Sequence, residues 1–226
     1  MSEGFEPRLD ALGKAQRRVW KELGATPRTF VLYGGTAIAL RLGHRQSEDF
    51  DFFSNRSFVP TELMQRVPYL KSAEMQQSAE NTLSCVLERE GPVQITFLGG
   101  LAWNRVGDPE TPAGGGPWVA SLLDLAATKM KTIMDRATLR DYLDIAALLE
   151  AGIELPQALG AARAVFGPQY NPMISLKALT FFDEGDVKKL GEETRERLTA
   201  AARAVGPERL PVLAARPGLV PSGSEE

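Results

Sequence analysis

Asp49 and Asp51 stand one residue apart in the run Ser47-Glu48-Asp49-Phe50-Asp51-Phe52-Phe53. In an extended chain alternate side chains leave the same face, so both carboxylates share one side while Phe50 and Phe52 pack on the other. Two acids on one face suit an oxygen-ligated divalent cation. Just upstream, the apolar run Phe30-Val31-Leu32-Tyr33 ends in Gly34-Gly35-Thr36 and continues as Ala37-Ile38-Ala39-Leu40. A glycine turn at a helix start lets backbone amides, with the Thr36 hydroxyl, approach a phosphate closely. An acid pair this near a phosphate turn points to metal-dependent nucleotidyl transfer. Mg²⁺ or Mn²⁺ between the carboxylates and the triphosphate of an NTP would align an acceptor hydroxyl with the α-phosphorus. Two plainer readings stand beside this one. Ser47-Glu48-Asp49 also suits a solvated turn entering an edge strand, and Gly34-Gly35 also suits a tight strand-to-helix turn with Thr36 as N-cap.

The elements that must position these residues are legible from periodicity. Leu9, Leu12, Ala15, Val19 and Trp20 recur at helical spacing, predicting one helix over Arg8 to Leu23. Phe30 to Tyr33 and Phe50 to Phe53 read as strands, and Thr36 to Leu42 as a helix stopped by Gly43. Pro60 to Val67 predicts another helix. Thr82 to Glu88 and Val93 to Leu98 predict a hairpin around Glu90-Gly91. A loop rich in glycine and proline runs from Gly99 to Pro117, flanked by Trp103 and Trp118, whose rings either anchor it or stack on a base. Beyond it, Leu122, Leu125, Ala126, Met130 and Ile133 form one apolar stripe, and Tyr142, Ile145, Ala146 and Leu149 another. Further helices are expected over Leu155 to Phe166, Ile174 to Phe182 and Val187 to Val205. The fold class is α/β (α+β). Residues 1–117 form a lobe with a small mixed sheet and helices on one face, 118–215 a helical bundle, and 216–226 a disordered tail.

The chain has 226 residues, 26 basic and 29 acidic, a net charge of -3 and one histidine. This balance argues against strong non-specific nucleic-acid binding, leaving room for a local basic stripe from Arg41, Arg45, Lys129, Lys131, Arg136 and Arg140. His44 alone excludes a multi-histidine metal centre, and Cys85 alone excludes an internal disulfide. No apolar run is long enough to span a bilayer, and the start Met-Ser-Glu-Gly-Phe-Glu-Pro lacks the regions of a signal peptide. A cytoplasmic protein with no membrane partner is expected.

Two blocks then meet a known pattern. Gly34-Gly35-Thr36 … Leu42-Gly43-His44-Arg45-Gln46-Ser47-Glu48-Asp49-Phe50-Asp51-Phe52 resembles the first motif of the AbiEii/AbiGii-type nucleotidyltransferases. These are DNA polymerase β-like proteins, often the toxins of type IV toxin–antitoxin pairs. Ser121 to Lys129, Asp135-Arg136 and Arg140-Asp141-Tyr142-Leu143-Asp144 resemble the family's helical block, and Ser175 to Asp183 its late helix. The resemblance implies a nucleotidyltransferase-like fold that uses an NTP as substrate. Asp49 and Asp51 would be metal ligands, Gly34, Gly35 and Thr36 would hold the triphosphate, and Lys129 would reach the phosphates. Asp141 would orient Lys129 or the nucleotide, and Arg45 and Ser47 would contact phosphate or brace the strand. The acceptor would be RNA (tRNA) or protein, and an antitoxin a partner. The helical block has a plainer reading as a solvated face with an Arg140–Asp144 pair at i,i+4.

The superfamily normally supplies a third carboxylate from a later strand, and the matching stretch Val93 to Leu98 has Thr96 there. Glu88 shares Thr96's face only if the hairpin turn has three residues; a two-residue turn puts it on the other face. Asp108 and Glu110 are further candidates. The sequence thus supports an Mg²⁺-dependent enzyme first, a catalytically weakened nucleotide- or partner-binding protein second, and a helical interaction protein on an α/β scaffold third.

Overall fold

The structure, a computed structural model, describes residues 4–206 and 210–223. The chain divides into two compact units. The first comprises the chain up to Trp103, Asp108–Ser121 and the segment from Pro217 onward; the second comprises Asn104–Gly107 and Leu122–Arg216.

The first unit is built on a six-stranded mixed sheet. Its strands are β1 (Val31–Tyr33), β2 (Phe50–Phe53), β3 (Glu74–Ala79), β4 (Thr82–Glu88), β5 (Pro92–Leu98) and, past the short β6 (Asn104–Arg105), β7 (Trp118–Val119). Their spatial order is β3-β4-β5-β2-β1-β7. β2 runs antiparallel to β1 and parallel to β5, so the acid-bearing strand sits in the interior of the sheet. Alternation sorts the residues as the sequence predicts. Leu32, Phe50, Phe52, Leu83, Cys85, Val93, Ile95 and Phe97 point to one face and are fully buried. Phe52 stacks on Phe97 at 5.1 Å, and Trp20 of α1 (Lys14–Trp20) covers Phe50 at 6.4 Å. Tyr33, Asp51, Thr96 and Ser84 are register partners across four strands and share the opposite face.

Several elements depart from expectation. The helix read over Arg8 to Leu23 breaks at Leu12–Gly13: Gly13 is extended (ψ 172°), and Leu12 bridges to Ser47. What remains is a short turn over Leu9–Ala11, α1, and another turn over Leu23–Ala25. Strand β3 was not legible, because Glu-Met-Gln-Gln-Ser-Ala lies on the sheet edge with every residue exposed and so carries no apolar alternation. Arg216 was expected to begin a disordered tail. Instead Arg216–Pro217 (β8) pairs with β6, the Leu219 amide donates to Asn55 Oδ1, and Leu219 is buried. Residues 224–226 of that expected tail lie outside the described residues.

The remaining elements of the first unit are α2 (Gly34–Leu42), ended by Gly43 at φ 68°, and α3 (Pro60–Arg66). The second unit is helical: α4 (Leu122–Asp135), α5 (Leu139–Glu150), α6 (Leu155–Phe166), α7 (Pro172–Leu179) and α8 (Glu192–Ala204). Helix α4 packs against α5, α6 and α7. Tyr142 is fully buried and donates its hydroxyl to Ala178 O (2.7 Å) and Phe181 O (3.1 Å), fixing the end of α7. The helix expected over Val187 to Val205 is split, with Leu190 extended and Gly191 as the N-cap of α8. No single helix among the described residues is long and apolar enough to cross a membrane.

Phe52→Ala removes a ring at the centre of the first core. It should cost about 3–5 kcal/mol of unfolding free energy, read by chemical denaturation.

Candidate active site

The sheet register and the glycine turn bring the first predicted block together. Tyr33 ends β1 opposite Asp51, and Gly34 then turns the chain at φ 74°, a conformation only glycine adopts without strain. A Cβ on Gly34 would lie 2.7 Å from Asp51 Oδ2. The Asp51 carboxylate therefore occupies the space a side chain at 34 would need, directly against the start of α2. Asp49 is exposed and lies just before β2 on the same alternation; Asp51 is half-buried. The donor set is all oxygen, and two carboxylates fit Mg²⁺ or Mn²⁺, which keep waters and complete their shell with substrate phosphates. Among the described residues no cluster of three or more His, Cys, Asp or Glu side chains suits a metal on its own.

Thr36 is placed differently from the expectation of a hydroxyl facing phosphate. It is buried, and its Oγ1 donates to Ser47 Oγ (2.7 Å) and to the Asp49 carbonyl. Its side chain ties the start of α2 to the segment entering β2, leaving backbone amides as the groups the turn offers. Ser47, also buried, receives that bond, and its amide donates to Ala11 O at 3.1 Å. Arg45 is half-buried beside this segment and donates to Gln46 O at 2.9 Å. Arg41 leaves the proposed basic stripe: it donates to Ala120 O (2.9 Å) and Val119 O (3.2 Å), pairs with Glu110 (3.5 Å) and lies over Phe5. Burial is the main influence on its guanidinium and lowers its pKa.

Thr96 is the direct register partner of Asp51, so the place where the resemblance leads one to expect a third carboxylate carries a hydroxyl on the Asp51 face. The hairpin loop has three residues, Arg89 to Gly91, since Glu88 pairs with Pro92. Glu88 therefore shares the Thr96 face, yet it lies four residues along the ladder, about 13 Å away. Glu110 sits on the far side of β7 from β1 and pairs with Arg41, which removes it as a substitute.

In the second unit Lys129, Asp141 and Asp144 form a buried cluster. Lys129 Nζ is 2.7 Å from Asp141 Oδ1 and 2.7 Å from Asp144 Oδ2, and the two acids are 1% and 0% exposed. Asp141 also accepts from Thr138 Oγ1 (2.6 Å) and Arg136 Nε (3.2 Å), while Thr138 caps α5. The burial of Lys129, Asp141 and Asp144 overturns the solvated-face reading of this block. A signal was present in the chain: Lys129 falls four residues from both Leu125 and Ile133, inside the apolar stripe, where a lysine needs carboxylate partners.

Gly34→Ala should cost about 1–3 kcal/mol of stability through its positive φ and should push the Asp51 carboxylate away. Denaturation and a nucleotide titration of the variant read the two effects. Burial is the largest influence on the Asp141 carboxyl and raises its pKa. Attraction and hydrogen bonding from Lys129, the Thr138 hydroxyl and the Arg136 charge together outweigh it, leaving the pKa below its ordinary 3.8. A depressed carboxyl contributes stability above its unfolded pKa and loses it as pH falls through the folded one. Wild-type unfolding free energy should therefore drop below about pH 4, and Asp141→Asn should flatten that fall. At neutral pH the variant should be less stable by about 3–5 kcal/mol.

The family model for the nucleotidyl transferase AbiEii toxin of type IV toxin–antitoxin systems matches residues 22–216. The uncharacterized protein aq_aa25 of Aquifex aeolicus (strain VF5) is 25% identical over 176 residues, covering 74% of this chain and 83% of that protein. Among solved structures, MenT4, the nucleotidyltransferase toxin Rv2826c of Mycobacterium tuberculosis H37Rv, shares the fold. Its TM-score is 0.58 at 16% identity, over 87% of this chain and 85% of that one. With the family model spanning most of its length, this chain belongs to the AbiEii nucleotidyltransferase toxin family.

Proposed function

We infer that this protein moves an NMP from an NTP to a hydroxyl of RNA, tRNA included, or of protein, as the toxin of a bacterial toxin–antitoxin pair acting in the cytoplasm. The observation that carries this reading is the Asp51 carboxylate lodged in the space left by Gly34, with Asp49 on the same alternation. Asp49 and Asp51 would hold Mg²⁺ or Mn²⁺, which supplies charge neutralisation at the α-phosphate and lowers the pKa of the acceptor hydroxyl. Backbone amides of Gly34, Gly35 and Thr36 at the start of α2 receive the β- and γ-phosphates. The Thr36 side chain acts from behind, holding the Asp49 carbonyl and Ser47 so that the acids keep their place. Arg45 adds positive charge beside the acids. Lys129 and Asp141, which the family resemblance assigns to phosphate contact and orientation, are paired with each other within the second unit.

A second reading is favoured by one observation, the Thr96–Asp51 pairing. A threonine hydroxyl is no base near neutral pH, so a protein that kept nucleotide binding and lost turnover would look like this.

The test is transfer of label from each α-labelled NTP, with Mg²⁺ or Mn²⁺, to total RNA and to protein extract. Under the first reading one acceptor is labelled, and the Asp49→Ala, Asp51→Ala protein loses at least about 100-fold in rate. Full activity of that double variant would sink it. A wild type that binds NTP without transfer, and gains transfer as Thr96→Asp, would establish the second reading.

A further inference from the structure

The sheet face that carries Asp51 also carries rings. Phe53 follows Asp51 by two residues on β2, and its ring stacks on Tyr33 at 5.2 Å with the planes 18° apart. Trp103 meets Phe53 edge-to-face at 5.4 Å and 85°. Tyr33 is buried, while Phe53 and Trp103 are half-exposed. Trp118, the other tryptophan beside the glycine-rich loop, is differently employed. Arg28 lies over its ring at 5.4 Å and donates to Gly116 O at 3.2 Å, so Trp118 anchors the loop.

We propose that Phe53 and Trp103 form the surface on which the nucleobase of the bound NTP stacks, a reading that rests on the nucleotide site inferred above. Direction and length argue for it. β1 and β2 are antiparallel, and the glycine turn leaves β1 at Tyr33, opposite Asp51. Phe53 lies opposite Val31, on the side of Asp51 away from that turn. Two residues of strand separate Asp51 from Phe53 by about 7 Å. An NTP with its outer phosphates on the turn and its α-phosphate at the acids therefore carries its base along β2 toward Phe53. Trp103 stands there perpendicular to Phe53, the two half-exposed rings forming an aromatic corner. Stacking tolerates any base because every base has a π-face. Phe53 and Trp103 are thus positioning residues that orient the ribose and α-phosphate against Asp51.

The test is calorimetric titration with an NTP and with inorganic tripolyphosphate, both with Mg²⁺, beside intrinsic fluorescence. Trp103→Ala should weaken NTP binding roughly 5- to 100-fold and leave tripolyphosphate binding unchanged, which also shows that the variant is folded. Trp103→Phe should keep the NTP affinity while losing the fluorescence change on binding. NTP affinity unaltered in Trp103→Ala, yet lost in Asp49→Ala, Asp51→Ala, overturns the stacking assignment alone. Parallel loss of NTP and tripolyphosphate in Trp103→Ala overturns it as well, since a ring under the base does not touch the phosphates. A wild type that binds neither ligand overturns both this assignment and the nucleotide site.

Discussion

The close approach of Asp51 to Gly34 is the constraint around which the first unit is organised. A carboxylate 2.7 Å from where a Cβ would stand leaves no room for a side chain at 34 unless Asp51 moves, and the positive φ there strains any other residue independently. Once the turn is made, α2 must start beside the acids. Thr36 in its first turn can then reach the Ser47–Asp49 segment with its hydroxyl. The tie fixes the segment entering β2, the antiparallel β1–β2 ladder fixes Asp51, and the buried Phe50 and Phe52 prevent the strand from turning over. A one-residue slip would bring the carboxylates onto the core face in place of Phe50 and Phe52, at a cost no neighbouring interaction offsets.

The second unit depends on a different device. Lys129 and Asp144 are both removed from solvent, and so is Asp141; none of them is stable there alone. With Lys129 bridging the two acids, and Arg136 and Thr138 completing the Asp141 oxygens, the charges of α4 and α5 balance where the helices meet. Such a cluster contributes little net stability compared with an apolar replacement, while loss of one member leaves an uncompensated charge. It therefore holds α4 and α5 in one register. The capping of α5 by Thr138 is part of the same network, which couples the start of that helix to the lysine.

Much of this architecture is legible in the sequence. Strands β1, β2, β4 and β5, the stop at Gly43 and the helices α3 to α6 follow from apolar periodicity and glycine placement. The two-sided character of β2 follows from Asp-Phe-Asp-Phe alternation alone. Edge strand β3 was hidden because an exposed strand needs no apolar residues, and the break at Gly13 was hidden because apolar spacing continues across it. The Thr36 hydroxyl could be placed only with its partners in view. Before a helix, a threonine facing a phosphate and one facing Ser47 have the same sequence.

The residue chemistry and local order were determined by the sequence itself. Acids at alternate positions, a glycine pair before a helix and one lysine inside an apolar stripe are statements about period and covalent chemistry, which no packing alters. Tertiary structure alone decided which strand lies beside which. It made Thr96 the neighbour of Asp51, put Glu88 on the same face but about 13 Å off, and brought Trp103 onto Phe53. The reason is physical. Register across a sheet depends on loop length, turn type and the sum of core contacts, and those are set by residues distant in the chain and close only when it folds.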